Sequence, residues 1–278
     1  MDLNWYQILI YGLISAITDI LPVSAQAHRL LLLKFFGVGS EPGLLRLLIH
    51  VGILAALYYS CQTQIVRILR ARSLARIPKK KRKRPLDTKS LMDLSLWKTM
   101  LLPVIVAFCF YEKAAQMNNN LIWAATFLFV NGVILYIPQY LPGSNKDSRS
   151  LSRLEGLAIG LGGAVSVLPG FSAVGTAASI GSICGVEPKY CMDMVLLMNI
   201  GVTVARIVTD ILGIIASGIA GLTFVTVLFY ILAMLLAFVV TFLAIKLIRH
   251  MAANTNLSWF SYYCWGLALF TFILNLMA

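Results

Sequence analysis

Along this chain apolar residues run in long blocks, and the polar residues fall between the blocks rather than alternating with them. Stretches at about 44–60, 94–111, 121–138, 190–216, 222–245 and 257–277 approach or exceed the roughly 20 residues that cross a hydrocarbon core of about 30 Å. They predict six membrane-spanning helices. Two further apolar stretches, 3–36 and 154–186, are cut near their middles by Ile20-Leu21-Pro22-Val23-Ser24-Ala25 and Val167-Leu168-Pro169-Gly170-Phe171-Ser172-Ala173. The resulting pieces are short for a crossing. Non-helical backbone is tolerated at membrane depth where protein or a wet cavity buries it, so two re-entrant helical hairpins are expected there. A broken segment recurring in two halves points to an inverted repeat with a site at its centre.

Composition agrees with a membrane protein: 59% of the 278 residues are hydrophobic, 12% are charged and the mean hydropathy is +0.84. Such values lie outside the range of soluble domains. The net charge of +12 would suit a nucleic-acid binder, but its distribution argues against one. Eleven Lys and Arg lie between Arg67 and Lys89, including the run Lys79-Lys80-Lys81-Arg82-Lys83-Arg84, and smaller groups sit at Lys146/Arg149/Arg153 and Lys246/Arg249. Basic loops beside spans face the cytoplasm and attract anionic lipid. A cytoplasmic loop at about 62–92 then leaves both termini outside. Each half becomes one hairpin plus three spans, and because three is odd the second half is inverted.

The expected fold is therefore an all-α polytopic membrane protein of two inverted repeats, about 1–140 and about 150–278, in one membrane domain. The start lacks the basic region and cleavage pattern of a signal peptide, so the first helix is expected to be retained. The five cysteines show no metal or redox spacing and read as small buried residues. No glycine-rich phosphate loop, GxSxG or HExxH motif is present.

The first break carries Asp19, Ser24, Gln26, His28 and Arg29 within eleven residues. Ionisable groups at the centre of a membrane helix cost roughly 2.5–3.5 kcal/mol each on insertion scales, so this group requires polar partners or water. A plainer reading has Asp19 capping a helix and pairing with Arg29. The second break offers Ser172, Gly175, Thr176 and Ser179 at the start of a helix, where free N–H groups suit an anion such as phosphate and small residues also suit helix packing. Arg206 and Asp210 stand four apart in one span, either neutralising each other or reaching into the cavity.

The stretch Ile20-Leu21-Pro22-Val23-Ser24 with His28 resembles the first motif of the bacterial undecaprenyl-diphosphate phosphatases of the bacitracin-resistance type, E-G-x-T-E-F-L-P-V-S-S-T-G-H. Leu168-Pro169-Gly170-Phe171-Ser172-Ala173-Val174-Gly175 is similar to their second, P-G-x-S-R-S-G. Leu48-Ile49-His50-Val51-Gly52, Pro103 and Phe260-Ser261-Tyr262-Tyr263-Cys264-Trp265-Gly266 extend the likeness along the chain. The resemblance implies inverted repeats with two re-entrant hairpins, and hydrolysis of a polyprenyl diphosphate to the monophosphate lipid carrier of cell-wall peptidoglycan synthesis in a bacterial inner membrane. Asp19 stands at the family's second glutamate, Ser24 at the first-motif serine, His28 at the histidine and Ser172 at the second-motif serine. Ser15, Ala25, Gln26, Ala173 and Val174 stand where the family has glutamate, serine, threonine, arginine and serine. The lost arginine matters most, because a bidentate guanidinium clamps a diphosphate.

On this reading Asp19, Ser24 and His28 are catalytic: Ser24 or a water activated by His28 attacks, and Asp19 orients the base or holds a divalent cation, magnesium or calcium. Gln26, Arg29, Gly170, Ser172, Gly175 and Thr176 bind substrate, with Arg29 or Arg206 in place of the missing arginine. The alternative is a non-hydrolytic relative that binds or translocates a polyprenyl phosphate or other anionic lipid. Expected partners are the membrane, a polyprenyl (di)phosphate lipid and a second copy of the chain, and not nucleic acid.

Overall fold

The computed structural model describes residues 3–277 apart from 83, 84, 119, 143, 144, 219–221, 255 and 256. Lys83 and Arg84 of the basic run thus lie outside the described residues. Helices α1 (Trp5–Ile20), α2 (Ala25–Phe36), α3 (Gly43–Ala75), α4 (Thr88–Cys109), α5 (Tyr111–Asn118) and α6 (Leu121–Tyr136) make up the first half. The second comprises α7 (Arg153–Ala164), α8 (Ala173–Ile183), α9 (Pro188–Ser217), α10 (Phe224–Asn254) and α11 (Trp259–Met277). Among the described residues six helices are long and apolar enough to span: α3, α4, α6 with its 3-10 extension to Tyr140, α9, α10 and α11. These are the six predicted segments, so the protein is a multi-pass membrane protein of all-helical fold.

Boundaries beside the basic segments differ from expectation: α3 and α4 run further into the connection between them, and α10 runs on to Asn254, so Lys246 and Arg249 are helical rather than loop residues. At 1.5 Å per residue, the 33-residue α3 is longer than a hydrocarbon core is thick. It carries Arg67, Arg70 and Arg72 as helix rather than loop, and only the stretch from Arg76 to Asp87 connects it to α4. The reason is local: residues 61–75 hold neither glycine nor proline, and Arg, Gln and Leu are good helix formers. The helix stops just before Pro78.

The basic groups meet at one end of the bundle. Lys89 pairs with Asp147 at 3.5 Å, Lys146 with Glu155 at 2.6 Å, Arg67 with Asp93 at 3.1 Å and Arg249 with Asp193 at 2.9 Å. Loops predicted from charge to share one side do share one end. Large apolar side chains such as Leu102, Val106, Leu161, Leu235 and Leu243 face outward, while Asp19, His50, Asn131, Asn199, Arg206 and Asp210 are buried. A bundle that turns leucine out and charge in is built for lipid solvent.

Both breaks form as the prolines require. Leu21 (φ −68°, ψ 155°) and Leu168 (φ −87°, ψ 143°) are extended, as residues before proline are. Ser24 then caps α2 and Ser172 caps α8, their hydroxyls accepting from the Ala27 and Gly175 amides at 3.3 and 3.1 Å. The breaks dock on each other reciprocally. The Ser24 hydroxyl accepts from the Gly170 N–H at 2.9 Å, and the Ser172 hydroxyl donates to the Leu21 carbonyl at 3.1 Å. Gly170 has φ +110°, and a Cβ there would lie 2.6 Å from the Leu128 nitrogen, so both backbone and space demand glycine. At 16, 12, 12 and 11 residues, α1, α2, α7 and α8 are each too short to cross about 30 Å unaided.

The five cysteines are free. Cys61, Cys191 and Cys264 are buried as expected, Cys184 is half-buried, and Cys109 is exposed on the outward side of α4.

Candidate functional site

Asp19 lies in the last turn of α1, just before the first break, and its Oδ1 accepts from the Arg206 guanidinium of α9. Sequence spacing had suggested Arg29 as a partner for Asp19 and Asp210 as a partner for Arg206. The structure sends each across the bundle instead. Asp210 accepts from His50 Nδ1 and from Arg46 Nε, both at 2.6 Å. Arg29 Nη1 lies 3.0 Å from His50 Nε2. Since an arginine only donates, His50 is neutral at Nε2 and gives its Nδ1 proton to Asp210. Arg46 continues to Glu41 at 2.5 Å, whose second oxygen accepts from the Tyr11 hydroxyl.

The result is a polar seam through an apolar bundle, holding three arginines (Arg29, Arg46, Arg206) against three carboxylates (Asp19, Glu41, Asp210). Buried ions are tolerated only when paired and hydrogen-bonded. The side chains of Arg46 and Glu41 are 21% and 17% exposed and that of Asp210 is 1%, so the seam opens at the α2–α3 connection, the end opposite the basic one. Burial pushes the Glu41 carboxyl up, but Arg29 and Arg46 pull it further down, below its ordinary value.

At the inner end, three side-chain atoms among the described residues are buried without a partner: Ser15 Oγ, Asp19 Oδ2 and Arg206 Nε; Gln26 Oε1, in the first turn of α2, is likewise unpartnered. Ser15 precedes Asp19 by one helical turn. Buried polar atoms seek partners, so this corner suits a polar ligand or water presenting both donors and acceptors.

The other predicted residues are placed differently from the expectation. His28 lies beyond the break on α2, its Nδ1 2.6 Å from the Ser24 carbonyl and its Nε2 2.6 Å from the Tyr263 hydroxyl of α11, with the two rings parallel at 5.7 Å. Both nitrogens are engaged, so Asp19 does not orient His28 here, and the Ser24 hydroxyl is spent on its cap and on Gly170. The Gly170 and Gly175 amides go to the two serines. The Thr176 hydroxyl donates to the Ser172 carbonyl at 2.6 Å, and its oxygen lies 3.1 Å from Asn131 Oδ1. The N–H groups of Ala173 and Val174, in the first turn of α8, have no partner within the helix.

The donor set does not suit the divalent cation expected at Asp19. No three His, Cys, Asp or Glu side chains gather to hold a metal among the described residues, and an arginine already stands against each carboxylate of the seam.

Tyr11, Glu41, Arg46, His50, Asn131 and Tyr263 were not singled out as site residues from sequence. His50 was visible as a histidine in a span within a matched motif, whereas Glu41 in a polar connection carried no signal.

The profile of the family described as "Bacitracin resistance protein BacA" matches residues 8–270. The chain belongs to the BacA family. Curated relatives agree along nearly the whole chain. A protein named undecaprenyl-diphosphatase from Methanobrevibacter smithii is 27% identical over 273 residues, covering 96% of both chains. Its namesake from Carboxydothermus hydrogenoformans is 24% identical, covering 98% of both. In this BacA-family chain the guanidinium that meets Asp19 is that of Arg206, from the middle of a span.

Proposed function

We propose that the protein hydrolyses undecaprenyl diphosphate, or a closely related polyprenyl diphosphate, to the lipid monophosphate and inorganic phosphate. The observation that carries this reading is the pairing of Asp19 with Arg206 beside two docked helix starts, in a chain that relatives named undecaprenyl-diphosphatase match over nearly its whole length. The diphosphate enters at Glu41 and Arg46 and exchanges with the carboxylates for the guanidiniums of Arg29 and Arg206. Ser172 and the first amides of α8 hold the terminal phosphate. A water on Asp19 Oδ2 attacks the distal phosphorus and passes its proton to that carboxylate. The bridging P–O bond breaks, its electron pair leaves with the lipid monophosphate, and the arginines carry the developing charge. His28, with both ring nitrogens engaged, holds Tyr263 and the start of α2 in place rather than transferring a proton.

The two halves are read as inverted repeats, with the hairpins entering from opposite faces of a plasma membrane and the seam opening outward. A second reading, binding without hydrolysis, draws support from Ser15 and Ala173, which stand where the first glutamate and the arginine occur in the family pattern. Phosphate release from undecaprenyl diphosphate by purified protein, with and without a chelator, decides between them. Turnover that persists in chelator is expected. Lipid binding without phosphate release would leave the second reading.

A further inference from the structure

The seam accounts for a diphosphate head but offers nothing to an isoprenoid tail. An apolar groove of about 720 Å³ runs between α4, α5, α7 and the backbone that enters the second break. Of its fourteen lining residues thirteen are apolar and one, Lys113 of α5, is cationic. Leu102, Val106, Phe110 and Leu161 line it and are exposed, so it is open to the surrounding lipid. Val167 and Leu168 form its floor and lead directly into Pro169 and Gly170, whose amide is bound by Ser24.

Helix α5 joins groove and seam. Lys113, Ala114 and Met117 face the groove, while α5 also packs on α2, the helix that carries Arg29. Tyr111 of α5 lies within electrostatic reach of Arg46. One wall therefore borders the charged entrance on one side and the apolar groove on the other.

We infer that this groove is the subsite for the isoprenoid tail of the lipid diphosphate, held while its head occupies the seam. The inference rests on the proposed phosphatase reading. Apolar lining throughout with a single cation at one end matches an amphiphile with a long hydrocarbon body and an anionic head. An ordinary phospholipid on the surface has no reason to prefer a groove floored by the break itself. The groove sets selectivity for chain length, because each buried prenyl unit adds apolar burial that a short chain cannot make.

The test fills the groove at exposed positions, where folding tolerates the change. Leu161→Trp combined with Val106→Trp should lower kcat/KM for undecaprenyl diphosphate about tenfold, and leave kcat/KM for farnesyl diphosphate within about twofold. Equal rates on both substrates before and after filling, or equal losses on both, would overturn the inference. If the wild-type protein releases no phosphate from either, the phosphatase reading has failed and a second measurement judges the groove alone. A benzophenone amino acid at position 161 should crosslink undecaprenyl phosphate in vesicles, whereas the same probe at Leu243, equally exposed on α10, should not. Equal capture at both positions would mean bulk lipid and would end the proposal.

Discussion

Asp19 and Arg206 were both visible in the sequence as ionisable residues in apolar segments, but their partnership was not. Each has a neighbour four or more positions along the chain that looks like a partner, and in each case the fold chooses a residue from another helix. Breaking a buried pair leaves one charge uncompensated at about 3–5 kcal/mol, so single substitutions mix stability with catalysis. Asp19→Asn and Arg206→Gln should each lower thermal stability in detergent and cut turnover by about 10²–10³-fold. The double variant should recover most of the stability and none of the turnover. Recovery of both would make the pair purely structural.

His50 is a positioning residue in this scheme, since it reaches the substrate only through Arg29. His50→Ala should weaken turnover about 10–100-fold, as expected for losing a hydrogen bond to a charged group worth ~1.5–3 kcal/mol. His50→Gln keeps an acceptor for Arg29 and a donor for Asp210, and should restore part of it. The loss should appear in KM more than in kcat if Arg29 chiefly binds substrate.

At the scale of elements, the two breaks act as one unit. Each serine caps its own helix and reaches across to the other break, so the hairpins hold each other in register. Proline and the capping serines made the breaks legible in sequence, since they stop and restart helices by local rules. That the second break could only be built with glycine at 170 is a tertiary fact, set by the closeness of α6. Gly170→Ala should destabilise by at least about 1–3 kcal/mol through strain and overlap with Leu128, measurable as a lower melting temperature. Ser172→Ala removes a cap and a cross-break bond, and should cost about 0.5–2 kcal/mol. An unchanged melting temperature for Gly170→Ala would mean that α6 yields easily.

For the molecule as a whole, the basic end gathers three segments distant in sequence. Cysteines introduced at Lys80 and at Arg149 in a background without the natural cysteines should therefore share one accessibility. Both should resist a membrane-impermeant thiol reagent added outside intact cells, and one introduced at Gly39, in the α2–α3 connection, should react. Opposite behaviour at Lys80 and Arg149 would contradict the packing, and labelling of both from outside would reverse the proposed orientation.

Sequence alone determined the six spans, the two breaks, the common side of the basic segments and the family. Each follows from composition or from motifs read within about thirty residues, where the cost of burying peptide groups in lipid leaves few choices. It also placed Asp19, Arg29 and Arg206 inside the membrane. Only the tertiary structure decided which acid meets which base, brought Glu41 and His50 into the seam, turned His28 toward Tyr263 and opened the groove beside α5. Pairing among buried charges is a long-range choice: each arginine must take whichever carboxylate the packed helices bring within reach, and no local pattern encodes that distance.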